Sequence, residues 1–207
     1  TVRLTDAAGN TTDYAVSGVV LVVYEILDFS TEGTGTLSIT GNLTSTVTIY
    51  KTAGGNGWNA GALETTGFTA PVTVEFDKTA PATQDSTTDA FISLTAENTN
   101  QSGSYTQLDW AVYPVGTTSS WLVYHNGTGV QSSSVPWTNA AKKYLVYGTD
   151  GTIKHYSGST LMYETATGAA GSATRYLRTS FAYTNSGNGA YSNIRVTKLL
   201  WNGSSYV

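Results

Sequence analysis

The chain has 207 residues, a formal net charge of −4 and only 12 % charged residues, enough for one domain with a substantial core, or one domain with a short appendage. Its 36 Thr, 21 Ser and 22 Gly make more than a third of it small or hydroxylated while 40 % is hydrophobic, which excludes the disordered class of low hydrophobicity and high charge. The ten Lys and Arg never cluster, there is no Cys, and the longest apolar run covers residues 19–24; this excludes charge-driven binding to nucleic acid or anionic membranes, thiolate chemistry, and a spanning helix of roughly 20 residues.

The chain begins at Thr1 without Met, and reads as processed, trimmed or a fragment. No window sustains apolar residues at helical spacing, and Thr, Val, Tyr and Gly are poor helix formers, so the chain is all-β. Residues 6–10 can turn Val2-Arg3-Leu4 back into Tyr14-Ala15-Val16. Residues 18–29 break strand alternation, because Val19, Leu21 and Val23 on one side match Val20, Val22, Tyr24 and Ile26 on the other. Two readings stay open: a central sandwich strand with both faces covered, or part of a separate arm, residues 1–45, covered only when it packs on another copy or donates a strand to it. Gly33, Gly35 and Gly41 with Thr and Ser between them make residues 31–46 the best candidate linker.

In residues 71–77, Val72, Val74 and Phe76 oppose Thr73, Glu75 and Asp77, as in a strand with one wet face. Leu108, Trp110 and Val112 share a face, which predicts Trp110 in the core and Asp109, Ala111 and Tyr113 outside. Asn126-Gly127 ends the run Trp121-Leu122-Val123-Tyr124. Asp150-Gly151 and Ser157-Gly158 separate three antiparallel strands, Tyr144 to Tyr147, Ile153 to Tyr156 and Leu161 to Tyr163. In residues 193–198, Ile194 and Val196 oppose Arg195 and Thr197, and Asn202-Gly203 turns the chain after Leu199-Leu200-Trp201. Two half-dry sheets stacked about 10 Å apart make a two-sheet antiparallel β-sandwich, and this strand number suits a jelly roll over residues 46–207 with an N-terminal β arm.

The order of several motifs carries a resemblance. Gly57-Trp58-Asn59-Ala60-Gly61-Ala62, Phe91-Ile92-Ser93-Leu94 and Tyr105 are followed by Leu108-Asp109-Trp110-Ala111-Val112-Tyr113 and Val123-Tyr124-His125-Asn126-Gly127. Residues 151–158, with His155-Tyr156-Ser157-Gly158 at their end, and Tyr191-Ser192-Asn193-Ile194-Arg195-Val196 complete the order. Over residues 46–200, roughly three quarters of the chain, this resembles the concanavalin A-like, laminin-G-like jelly-roll modules of phage structural and bacterial surface proteins. In such modules a Tyr-x-Asn-Gly segment forms a hairpin; Ser157 stands where that pattern has Asn, which turn chemistry tolerates. The resemblance implies a fold that hosts lectins, glycosidases and structural modules, so function must be read from sites.

Glu75 and Asp77 lie at i and i+2 on one strand face, and retaining glycosidases need two carboxyls about 5 Å apart. Some glycosidases of the resembled fold carry Glu-x-Asp-x-x-Glu along one strand; here the third position is Ala80, so the acid is missing, and the chain reads as a non-enzyme. His125 and His155 lack a nucleophile pattern and read as strand residues with an ordinary hydrogen-bond partner. Asp85 and Asp89 could share a calcium ion, with no recognised loop motif to support one; no cofactor is expected. Of the aromatic residues, Trp58, Tyr113, Tyr124 and Trp137, with Asn59 and Asn126 as polar neighbours, are the candidates for stacking on sugar rings. Asn10, Asn42, Asn100, Asn126 and Asn202 open Asn-x-Ser/Thr acceptor triplets.

These readings lead to a non-catalytic structural or adhesion module of an extracellular assembly such as a phage fibre, capsid decoration or bacterial appendage. It would meet other copies or subunits through Val19, Val20, Leu21, Val22, Val23, Tyr24 and Ile26. The alternative is a lectin-like module that binds cell-surface glycans, and a glycoside hydrolase stands third.

Overall fold

The structure is a computed structural model that describes residues 2–5, 11–14, 20–78, 90–99, 102–114, 121–132, 137, 139–183 and 190–207. The strands are β1 (Val2–Thr5), β2 (Thr11–Tyr14), β3 (Phe29–Gly33), β4 (Thr36–Thr40), β5 (Val47–Ala53), β6 (Ala60–Glu64), β7 (Val72–Asp77) and β8 (Ala90–Thr95). After a 3-10 turn at Tyr105–Gln107 come β9 (Ala111–Pro114), β10 (Trp121–His125), β11 (Thr128–Ser132), β12 (Lys143–Tyr147), β13 (Ile153–Ser157), β14 (Thr160–Glu164), β15 (Tyr176–Phe181) and β16 (Tyr191–Thr197). β1 and β2 pair with each other, Val2 opposite Tyr14. The other strands form two seven-stranded antiparallel sheets: the first runs β11-β10-β9-β8-β15-β6-β3 and the second β14-β13-β12-β7-β16-β5-β4. The chain is an all-β sandwich of the concanavalin A-like jelly-roll type.

Alternation decides which side chains meet between the sheets. Val72, Val74 and Phe76 of β7, Ile92 and Leu94 of β8, Leu145 and Tyr147 of β12, and Ile194 and Val196 of β16 all enter one core, each large apolar side chain contributing about 1.5–3 kcal/mol by leaving water. The hairpins follow their turn residues: Tyr147 faces Ile153 across Asp150-Gly151, and Ser157 faces Thr160 across the turn at Gly158.

The N-terminal third differs from the sequence expectations. Residues 31–46 are not a linker, because β3 pairs with β6 at the edge of the first sheet and β4 pairs with β5 at the edge of the second. Leu27 and Phe29 are buried in the core, so the sandwich takes in residues assigned to the arm and begins well before residue 46. The glycines serve as turns; Gly41, at φ +80°, closes β4 onto β5 where a Cβ would collide with the Thr46 carbonyl. Residues 20–26 are no central strand either: they make no strand ladder, and Leu21, Val23 and Ile26 are 74, 65 and 61 % exposed. A Glu25 N–H to Val196 carbonyl hydrogen bond of 2.8 Å tethers the segment. Val19 lies outside the described residues.

Two face assignments also change. Trp110 has φ +49°, which interrupts the strand so that Leu108 packs with Ala111 on the outer side while Val112 enters the core; Trp110 itself is half-buried at the core's margin. The outer side of β7 is not wet: Thr73 and Glu75 are buried there, because the C-terminal residues fold over them. Trp201 N–H donates to the Thr73 hydroxyl at 3.0 Å, and the 200 and 207 backbones pair through two 2.9 Å hydrogen bonds.

Candidate functional site

On the first sheet, residues that alternate away from the core point outward: Phe91 of β8, Ala111 and Tyr113 of β9, and Tyr124 of β10. Tyr124 stands opposite Ala111 in the ladder. The 3-10 turn lays Tyr105 over Phe91, the rings parallel within 14° at 5.4 Å, and the β5–β6 connection brings Trp58 to 5.0 Å from Phe91 and 4.9 Å from Tyr105. Tyr113 and Tyr124 complete the ring of aromatics at 4.2 and 5.3 Å from Phe91. Phe91 is fully buried and forms the floor; Trp58, Tyr105, Tyr113 and Tyr124 are half-buried around it. Among the described residues the Tyr105 and Tyr124 hydroxyls have no hydrogen-bond partner, so both remain free to bond solvent or a ligand.

The loops that carry Trp58 and Tyr105 are held from below. Lys51 is fully buried, and its ammonium lies 2.8 Å from the Gly55 carbonyl, 3.0 Å from Gly57, 3.1 Å from Ala182 and 2.6 Å from Asn59 Oδ1. Gly57 N–H also donates to the Ala182 carbonyl at 2.7 Å. Gly61 lies under the loop of Tyr105: a Cβ there would stand 3.2 Å from Gly103 Cα and 2.6 Å from the Thr179 carbonyl, so only glycine lets that loop settle on the sheet. Nearby, Glu32 and Arg178 form an ion pair of 3.1 Å with both side chains buried.

Three of the predicted sugar-stacking residues, Trp58, Tyr113 and Tyr124, are therefore brought together. Asn59 is not a free polar neighbour: its Oδ1 accepts from Lys51 and its Nδ2 donates to the Gly54 carbonyl at 3.1 Å, which makes it a fastener of the Trp58 loop. Asn126 occupies the exposed β10–β11 turn at φ +49°, its N–H bonded to the Leu108 carbonyl at 3.0 Å. Trp137 is a correction: it is 1 % exposed in the core, its indole donates to the Lys78 carbonyl at 3.0 Å, and a ring sealed between sheets cannot stack on a sugar from solvent. Phe91 and Tyr105 stood in the sequence as parts of the resemblance and not as binding candidates, and Lys51 was not singled out at all. Alternation around Ile92 gives Phe91 an outward direction, whereas nothing local marks Lys51 as a buried anchor.

The histidines diverge. His125 Nε2 meets Asn126 Nδ2 at 3.4 Å, the hydrogen-bond partner the sequence led one to expect; its Nδ1 lies 3.3 Å from Asp109 Oδ1 without hydrogen-bonding geometry, and its ring stacks on Trp110 at 4.2 Å. His155 is buried in the interior, no described group meets either ring nitrogen in hydrogen-bonding geometry, and burial, opposed in part by the Trp110 backbone, pushes its pKa down to about 3.

The outer face of the second sheet holds the other predicted chemistry. Glu75 is nearly buried; its Oε2 accepts the Tyr206 hydroxyl at 2.6 Å, and Lys142 and Arg195 stand 3.8 and 3.7 Å from Oε1. Burial first, then the hydrogen bond to Glu75, holds the Tyr206 phenol well above its ordinary value. Asp77 shares Lys142 at 3.6 Å and accepts from Asn193 Nδ2 at 2.7 Å. Cations and a phenol surround this carboxylate pair, and Arg195 stacks over the Tyr24 ring at 5.2 Å. Asp85 and Asp89, the candidate calcium pair, lie outside the described residues. Of the Asn-x-Ser/Thr triplets, Asn42 is engaged through its side chain with the Phe29 N–H at 2.7 Å.

No protein-family model and no curated protein sequence matches this chain. Solved structures do. A Bacillus subtilis protein with a galectin-like fold superposes with a TM-score of 0.54 at 11 % identity, covering 87 % of this chain and 99 % of that one. The carbohydrate recognition domain of Emp46p, in its potassium-bound form, gives 0.53 at 11 % identity over 86 and 90 % of the two chains. A Bacillus licheniformis β-glucanase gives 0.50 at 11 % identity over 85 and 97 %. At such identities the likeness is one of fold.

Proposed function

We propose that this chain is a non-catalytic glycan-recognition module, displayed outside the cell or on a virion, whose aromatic face on the first sheet stacks on sugar rings. The observation that carries the reading is the convergence of Trp58, Tyr105, Tyr113 and Tyr124, all partly exposed, around the Phe91 floor. Sugar rings offer apolar C–H faces and peripheral hydroxyls, and an amphipathic aromatic surface with free phenols complements both. The fold is shared with a protein described as a carbohydrate recognition domain. Absence of catalysis is supported by Glu75, whose carboxylate is occupied by Tyr206 and flanked by Lys142 and Arg195. The test is a glycan array probed with the intact chain and with Trp58→Ala and Tyr124→Ala. The parent is expected to bind a subset of uncharged glycans and each variant to bind about tenfold more weakly; no glycan bound, or binding equal in all three proteins, removes the reading.

A second reading, self-assembly, is favoured by one observation: Val20, Leu21, Val23 and Ile26 are exposed apolar residues on one segment with no strand partner, and such exposure marks interaction surfaces. Sedimentation of the intact chain is expected to show a concentration-dependent oligomer that Leu21→Asp with Ile26→Asp dissociates. A monomer at every concentration overturns it.

A further inference from the structure

Away from the aromatic face, on the outer side of the second sheet, the C-terminal residues and the β12–β13 hairpin enclose a groove of about 310 Å³, within the range of small-molecule sites. Its apolar lining is Val146, Tyr156, Leu200, Trp201 and Val207, with Trp201 the more exposed of the two rings. Both rings are fixed before any ligand arrives. Trp201 stacks on Tyr144 at 4.3 Å within 13° and donates its indole N–H to the Gly158 carbonyl at 3.3 Å. Tyr156 is almost wholly buried, wedged by Gly203, where a Cβ would stand 3.5 Å from the ring.

Asp150 and Lys154 supply the polar rim. Asp150 Oδ1 accepts the Thr152 N–H at 3.1 Å and the Thr152 hydroxyl at 2.7 Å, bonds that hold its pKa below the usual carboxylate value. Oδ2 has no hydrogen bond from a described residue and is an ionised acceptor held in place. Lys154 is anchored by Glu164 at 2.9 Å, which engages one of its three N–H donors. An aromatic wall with a fixed acceptor and a fixed donor at its edge matches a ring having one apolar face and hydroxyls around it. Two carboxylates stand against one ammonium at this rim, so an anionic ring is disfavoured.

We propose that this groove is a second saccharide site, for a single neutral hexose unit, separate from the aromatic face of the first sheet. The two sites lie on outer faces of different sheets, so one chain can hold two glycan ends at once. The groove's site stands on its own geometry and does not require that the aromatic face bind.

Two-dimensional NMR of the intact chain tests it, since the Trp201 and Trp58 indole N–H signals report the two sites separately in one titration. The probes are the methyl glycosides of glucose, galactose and mannose, with methyl glucuronide as the anionic comparison. At least one neutral glycoside at millimolar concentration is expected to shift the Trp201 indole and the amides of residues 148–152 saturably, and methyl glucuronide to do so more weakly. Asp150→Asn, which keeps the shape of the side chain and removes its charge, is expected to weaken that response about tenfold, while Trp58→Ala leaves it unchanged. Signals of Trp201 and residues 148–152 that stay still with every neutral glycoside overturn the proposal; so does a response that survives Asp150→Asn at full strength or is stronger for the glucuronide. Loss of only the Trp58 response leaves the groove standing and removes the aromatic face.

Discussion

Tyr124 and Tyr206 lie on the outer faces of opposite sheets, and their hydroxyls have opposite fates. Tyr206 is tied to a buried carboxylate at 2.6 Å, with Trp201 and Tyr144 both meeting it edge-on and stacked on each other. Tyr124 sits in a cluster of rings with its hydroxyl free among the described residues. Around Glu75 the second face is closed by the chain's own C-terminal residues and the polar groups there satisfy one another, which leaves the groove beside Asp150 as its open part. The first face is only partly covered, by the loop that ends in the 3-10 turn, and its polar groups face outward. Burial turns a tyrosine into a structural hydrogen bond, and exposure leaves it available for recognition.

The covered part of the first face sharpens this contrast most. Glu32→Ala leaves Arg178 buried without its counter-charge, and a loss of about 3–5 kcal/mol is expected, read as a fall in the urea midpoint at neutral pH; a change under about 1 kcal/mol would mean that this end is as open as the aromatic end. Next comes the pair of matched deletions. Tyr206→Phe removes a hydrogen bond to a charged group and is expected to cost about 1.5–3 kcal/mol with no effect on binding at the aromatic face. Tyr124→Phe makes the same chemical change and is expected to move stability by no more than about 0.5 kcal/mol, while weakening any glycan bound there several-fold. Equal stability costs for the two would erase the distinction between the faces.

The interior shared by both sheets gives an effect that depends on pH and is smaller only per unit of pH. His155 is held neutral, with its pKa at about 3 against about 6.5 in the unfolded chain. Below pH 6.5 the unfolded state takes up a proton that the folded state refuses. Stability therefore falls as pH falls from about 6.5 towards 3, by up to about 1.4 kcal/mol per unit, and is unaffected by this group above that window. Urea midpoints measured across the window should decline less steeply in His155→Leu than in the parent; parallel slopes would show that His155 is protonated in the folded state.

Much of the sandwich was legible because strand burial has a two-residue period and turns have their own chemistry. Val72, Val74 and Phe76 face inward as their spacing requires, and Asp150-Gly151 closes the hairpin it suggested. The same period misplaced Leu108, which packs on the outer side, since the positive φ at Trp110 resets the phase of the strand. Glycine and threonine in residues 31–46 looked like a linker because turn residues have the same composition as flexible segments, and the strands between them are short.

The candidate site was half legible. The sequence named Trp58, Tyr113 and Tyr124, but it could not tell Trp137 from them, because ring chemistry is the same in a core as at a surface. Lys51 and Asn59 became visible as the anchors of the Trp58 loop only through contacts, one of which reaches 131 positions along the chain to Ala182. By itself the sequence determined an all-β chain, its hairpins and its apolar inner faces, all set by neighbours a few residues apart. Which parts of the two outer faces are sealed and which stay open was decided by the tertiary structure alone, because that depends on where the C-terminal residues and the loops between strands come to rest across the sheets.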